Sequence, residues 1–158
     1  MKIELKHIVG YLPYAVESRD NSNSIYRHTL TIDNYHLFIG KYSNKLIIRP
    51  TSDLAKEIES NGEKFVPIIE LCKIAYDYLD IDKLTTQLDS ANGAHTVMLN
   101  SILSLSFDSN DSSFIAINKG RTVSVPNQLK LFEKLYEWRF DIHGLIEKGL
   151  AIDINTLK

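Results

Sequence analysis

The chain has 158 residues, 44% of them hydrophobic and 24% charged, which is the size and composition of one ordinary globular domain. Seven glycines, four prolines and a single cysteine, Cys72, exclude collagenous, linker-like and disulfide-stapled classes. A net charge of −2 commits the chain to neither nucleic acid nor a membrane surface, and no apolar run approaches the roughly 18 residues of a spanning helix.

The charge is unevenly placed. Residues 1–50 carry seven Lys/Arg against four Asp/Glu, residues 51–89 carry four against nine, and residues 90–158 carry seven of each. The N-terminus has no charged-then-apolar leader pattern and the chain has one cysteine, so a reducing cytoplasm is the expected compartment and no membrane partner is expected. Cys72, between Leu71 and Lys73, reads as a buried structural thiol.

The opening stretch KIELKHIVGYL puts Ile3, Leu5, His7 and Val9 on one parity, which predicts a half-buried strand. SRDNSNS is loop chemistry. IYRHTLTI, YHLFIG and KLIIRP then predict further strands, so residues 1–50 read as an antiparallel meander of about four strands. After Pro50 the period changes. DLAKEIES predicts a short helix that NGEKF stops, and Pro67 opens a second helix over PIIELCKIAYDYL, so residues 51–90 read as helical. DIDKLTTQLDSANGAH reads as a last helical turn and then a loop. Residues 96–125 predict two or three strands, with DSNDSS as a hairpin loop and Lys119-Gly120 as a tight turn. Leu131, Leu135, Trp138, Ile142 and Leu145 recur at helical spacing, which predicts one helix over 127–149, stopped by Gly149. LAIDIN predicts a closing strand. The expected fold is a single α+β domain, an antiparallel sheet packed against a few helices.

Motifs for chemistry are absent from the letters. A helix over 127–149 places Arg139, His143 and Glu147 on one solvated face and separates Asp141 from His143, so no Asp-His dyad forms. The five histidines and one cysteine make no zinc spacing; His28 and His36 could meet only across a hairpin. DSNDSS lacks the glycine and glutamate of a calcium loop. No phosphate-cradling glycine motif is present. No catalytic residue, metal or cofactor is therefore expected.

Two surfaces remain as binding candidates. YDYLDID carries Tyr76, Asp77, Asp80 and Asp82, an acidic and tyrosine-bearing stretch suited to a basic protein groove. The N-terminal strands carry Lys2, Lys6, Arg27, Lys41, Lys45 and Arg49 interleaved with Tyr11, Tyr14, Tyr26, Tyr35 and Tyr42, a pattern that single-stranded nucleic acid can use.

The C-terminal string EWRFDIHGLIEKGLAIDINTL, with RPTSDLAKEIESNGEKFVP in the middle, resembles small proteins of phages and prophages of Bacteroidetes. The resemblance covers residues 49–67 and 131–157 and supplies a genomic setting rather than an activity. Arg139 and His143 stand where it leads us to expect other side chains. It implies a non-enzymatic accessory protein that binds a host or phage macromolecule, with anti-CRISPR-like inhibition of a host defence system as the expectation. The alternative is a nucleic-acid-binding accessory protein of a mobile element.

Overall fold

The first residues alternate in sequence but not in space. In the computed structural model, which describes residues 3–20, 22, 24–31, 33–38, 44–84 and 86–157, the segment Leu5–Ile8 is a short helix, α1, continued by a 3-10 turn over Val9–Tyr11. Ile3, His7, Ile8 and Tyr11 are buried, while Leu5 and Val9 are exposed. The buried set follows a three-to-four-residue helical spacing, so the apolar parity at 3, 5, 7 and 9 misled the strand reading. Glu4 and His7 close a reciprocal cap: the Glu4 amide donates to His7 Nδ1 at 3.1 Å, and the Glu4 side chain receives the His7 amide.

The chain forms two compact units, Met1–Pro50 with Leu135–Lys158, and Thr51–Lys134. In the first, strands β1 (Ala15–Arg19), β2 (Ile25–Thr29), β3 (Lys45–Ile48) and β11 (Ala151–Asp153) form a sheet in the order β11-β3-β1-β2. The pairs of β1 with β2 and β3 are antiparallel, and β11 runs parallel to β3. LAIDIN is thus the expected closing strand. The expected strand at YHLFIG is instead a 3-10 turn over Tyr35–Phe38 that buries Phe38. One face of the sheet contributes Val16, Leu46, Ile48 and Ala151 to a core with Ile3, Ile8, Tyr11, Leu30, Phe38 and Leu145. Each such fully buried aliphatic side chain contributes about 1.5–3 kcal/mol.

In the second unit the expected helix at DLAKEIES is a 3-10 turn over Thr51–Asp53 followed by a hairpin, β4 (Ile58–Ser60) and β5 (Glu63–Phe65). Asn61 and Gly62 both have positive φ, +54° and +83°, the signature of the tight turn that Asn-Gly favours between strands. The helix at Pro67 is as expected: α2 spans Pro67–Ala75, with proline in its first turn and Cys72 buried. It lies against β7 (Ala94–Leu99) and β8 (Leu103–Asp108) of a five-stranded antiparallel sheet. That sheet also contains β6 (Thr86–Ala91), β9 (Ser113–Asn118) and β10 (Arg121–Val123), in the order β10-β9-β8-β7-β6. The helical reading of residues 51–90 is corrected to one helix and three strands, because a second Asn-Gly pair, Asn92-Gly93, turns β6 into β7. The loops at DSNDSS and Lys119-Gly120 join β8 to β9 and β9 to β10, as expected. Phe107, Phe114 and Phe132 stack edge-on, with centroids 5.0 and 5.2 Å apart.

The last helix, α3, spans Gln128–Glu137 and not 127–149. It ends in a left-handed turn at Arg139, φ +62°. The Arg139 amide donates to Tyr136 O at 2.9 Å and the Phe140 amide to Leu135 O at 2.8 Å. This is the Schellman ending, with arginine at the position glycine usually takes. The fold is α+β.

Candidate functional site

Strand alternation sorts the N-terminal cations onto one face of the four-stranded sheet. On β1, Val16 and Ser18 point to the core, which leaves Ala15, Glu17 and Arg19 on the other face. Cross-strand partners share a face, so Arg27 of β2 lies beside Glu17, and Lys45 and Ile47 of β3 lie beside Arg19 and Glu17. Arg49 extends β3 in register with Phe140: its amide donates to Arg139 O at 2.7 Å, and the Asp141 amide donates back to Arg49 O at 2.8 Å. Arg139 reaches Glu17, Nη1 to Oε1 at 3.1 Å, with both side chains about three-quarters buried. The result is a face that carries Arg19, Arg27, Lys45 and Arg49, with Arg139 paired to Glu17, the only carboxylate among its described strand positions, and with Ile47 opposite Glu17 fully buried.

This arrangement is electrostatically unfavourable by itself. Arg19 and Lys45 stand directly opposite each other across the β1–β3 ladder, and like charges so placed destabilise a sheet. The Nε of Arg19 is buried with no hydrogen-bond partner among the described residues. Of the sequence candidates, Arg27, Lys45 and Arg49 belong to this face; Lys2, Lys41 and Tyr42 lie outside the described residues. Arg19 and Arg139 were missed. The parity of AVESR, with Val16 inward, is the signal that places Arg19. Arg139 joins only through its left-handed turn, which no letter announces.

Three of the interleaved tyrosines, Tyr26, Tyr11 and Tyr35, do not share the face. Tyr26 pairs with Ser18 and so lies on the opposite side. Tyr11 is fully buried and donates from its hydroxyl to Phe140 O at 2.6 Å; burial pushes that phenol well above its usual range. Tyr35 packs against the core.

The acidic stretch after α2 is divided. Tyr76 is only 2% exposed and donates to Ser104 O at 3.2 Å, and burial raises its phenol to about 12. It therefore faces the interior and not a partner. Tyr78, 72% exposed, is the aromatic that reaches solvent there. Asp82 pairs with Lys73 at 2.9 Å and Asp80 pairs with Lys83, while Asp77 is exposed.

Residues 141–149 are not a solvated helical face. Asp141 is buried, and its two carboxylate oxygens accept the amides of Leu145 and Ile146, each at 2.8 Å. Left-handed residues follow at Gly144 and Gly149, φ +61° and +66°, and the Gly149 amide donates to Ile146 O at 2.9 Å. His143 Nε2 lies 3.3 Å from the Tyr136 hydroxyl, and its ring lies 5.7 Å from that of His7. Burial, then the nearby His7, holds His143 below its ordinary value. Asp141 is thus committed to backbone amides rather than to a histidine.

His36 sits on the exposed turn at Tyr35–Phe38, and the side chain of His28 lies outside the described residues. Among the described residues no three metal-ligating side chains converge. No helix among them is long and apolar enough to cross a membrane. Comparison with protein-family models, characterised proteins and solved structures finds no match for this chain.

Proposed function

We propose that this chain is a non-enzymatic accessory protein of a mobile element, working in the bacterial cytoplasm, that binds nucleic acid through its phosphates. The observation that carries the reading is the cationic sheet face: Arg19, Arg27, Lys45 and Arg139 share one carboxylate, Glu17, among the described strand positions of that face, with Arg19 and Lys45 in direct opposition. A polyanion adds counter-charge to the opposed Arg19 and Lys45, and phosphate contacts of this kind give affinity without sequence selection. The phage setting comes from the resemblance of the C-terminal string.

The test is a fluorescence anisotropy titration of labelled DNA and RNA against salt. About four phosphate contacts give a slope of log affinity against log salt of about −4, with dissociation constants of roughly 10⁻⁴–10⁻⁶ M near physiological salt. A flat titration at low salt overturns the reading.

A second reading, inhibition of a host defence effector through a protein contact, is favoured by one observation. Tyr78 projects into solvent beside the exposed Asp77, Asp80 and Asp82. A stoichiometric protein partner that survives nuclease treatment and is lost when these aspartates become lysines would move the assignment to it.

A further inference from the structure

We propose that the outer edge of β6 is an interface on which a second copy of this chain adds its own β6, antiparallel, about a two-fold axis between the two Leu88 residues. Such a dimer is independent of the nucleic-acid reading. A strand at the edge of a sheet presents unpaired N–H and C=O groups, and proteins guard such edges with short strands, lysine, proline or bulges. Here β4, β5, β10 and β11 are three residues each, and β2 carries Arg27. β6 is the longest edge strand among the described residues, six residues over Thr86–Ala91. It pairs with β7 at every position without a bulge, and it holds no lysine, arginine or proline. Gln87, Leu88, Asp89, Ser90 and Ala91 are all exposed, so no described part of the chain covers this edge, and Leu88 shows 42% of its surface to solvent.

The hairpin fixes which backbone groups point outward. Asn92 and Gly93 both have positive φ, +51° and +84°, so Ala91 and Ala94 close a two-residue turn as a hydrogen-bonded pair. Hydrogen-bonded and non-hydrogen-bonded pairs then alternate along the ladder, which turns the N–H and C=O groups of Thr86, Leu88 and Ser90 away from β7. A closed dimer uses one patch twice. For antiparallel neighbours in one sheet the two-fold axis stands normal to the sheet, so one residue meets its own copy. Centring on Asp89 opposes two carboxylates, which destabilises the pairing. Centring on Gln87 or on Ser90 leaves Ser90 or Thr86 beyond the end of the partner strand. Centring on Leu88 sets leucine against leucine, Thr86 against Ser90, and Asp89 against Gln87, whose amide donates to the carboxylate. It also gives every outward group of Thr86, Leu88 and Ser90 a partner. The helices leave room for it: α2 lies against β7 and β8. It and its copy are therefore separated by at least three strand spacings, roughly 14 Å, more than a helix diameter.

The experiment is sedimentation velocity of the full chain from about 10 μM to about 1 mM, because a single strand pair lies at the low end of interface sizes and gives a transient dimer. Hydrogen exchange is followed at both ends of that range. We expect a concentration-dependent dimer in which the amides of Thr86, Leu88 and Ser90 gain protection, while those of Gln87 and Asp89, already bonded to β7, change little. Leu88→Lys, at an exposed position, puts like charges in direct opposition and should weaken dimerisation by about tenfold or more with the melting temperature unchanged. Under mild oxidation a mixture of Gln87→Cys and Asp89→Cys proteins should form a disulfide between copies, since that pair is a non-hydrogen-bonded one with Cα atoms about 4.5 Å apart. Cys72 is buried and takes no part. A monomer at every concentration overturns the proposal. So does a dimer that Leu88→Lys leaves as tight as before, or one in which the three amides stay unprotected, because the interface then lies elsewhere. Protection of the same amides in the monomer would show another segment of this chain already on the edge, and overturns it as well.

Discussion

Asp141 should be among the most sensitive positions in the first unit. Its carboxylate is the acceptor for two adjacent backbone amides, Leu145 and Ile146, each at 2.8 Å, and the residue is 7% exposed. Replacing Asp141 by Ala leaves those two donors without an acceptor where water is largely excluded. Each such loss costs about 1–3 kcal/mol, and the second amide is only part-buried, so the expected total is about 2–4 kcal/mol. For a chain of this length that lowers the melting temperature by roughly 5–15 °C. Asp141→Asn keeps one acceptor oxygen and should fall between wild type and Ala. Urea unfolding gives the global value, and native-state hydrogen exchange at Leu145 and Ile146 gives the local one. An Asp141→Ala protein within about 0.5 kcal/mol of wild type, with unchanged exchange at both amides, would show that this carboxylate does not cap the turn.

Gly10→Ala should disrupt the first unit, because an added Cβ would fall 2.1 Å from the Tyr136 ring; the near-ultraviolet tyrosine signal and melting temperature report it, and an unchanged melt refutes the packing. The Cys72 thiol, buried and pushed up to about 12, should react with a disulfide reagent only as fast as the chain opens, so labelling should be slow in buffer and complete in urea. Stability should fall on mild acidification. His143 is held below its ordinary value by burial and by His7, against Asp141, with Lys148 and Lys6 adding to the depression; His95 is held low by burial and by Lys56. Between each folded value and the unfolded one near 6.5 the unfolded chain binds more protons, so this stability is full above about pH 7 and is lost as pH falls through the folded values. A urea midpoint that is flat across that window, or that rises on acidification, contradicts the sign.

What the letters showed and what they hid follow from how local each determinant is. Pro67 at the head of α2, the Lys119-Gly120 turn and the buried Cys72 are decided within a few residues and were legible. The Asn-Gly pairs at 61–62 and 92–93 are equally local, but the same letters suit a helix stop or a loop, and only the strand pairing on either side distinguishes the turns that join β4 to β5 and β6 to β7. The opening helix was hidden by an accidental alternation, and its burial is set by Tyr136 closing on Gly10 from the far end of the chain. At the site, Arg27, Lys45 and Arg49 were named, but only the ladder register shows that they share a face and that the tyrosines do not. The acidic neighbours of Tyr76 point to a surface anchor, but its hydroxyl donates to Ser104 O in the interior, a contact set by residues 28 positions away.

Arg139 joins these threads. It occupies the left-handed position that ends α3, where glycine has no Cβ to crowd the following carbonyl and an ordinary residue costs about 1–2 kcal/mol. In return it makes one ion pair with Glu17, both side chains about three-quarters buried, and the cost of removing two charges from water offsets much of their attraction. For the fold alone this is a poor exchange. For a cationic face it is not, because the turn brings a guanidinium to Glu17, the cross-strand partner of Arg27. Local rules broken without structural gain tend to mark function. Arg139→Gly should therefore keep or raise stability by up to about 1 kcal/mol, since strain relief offsets the lost pair, while the salt slope of nucleic-acid binding falls by about 1. Loss of more than about 1 kcal/mol of stability in that variant would show that the fold itself requires the arginine, and the strain at this turn would then be no argument for a ligand.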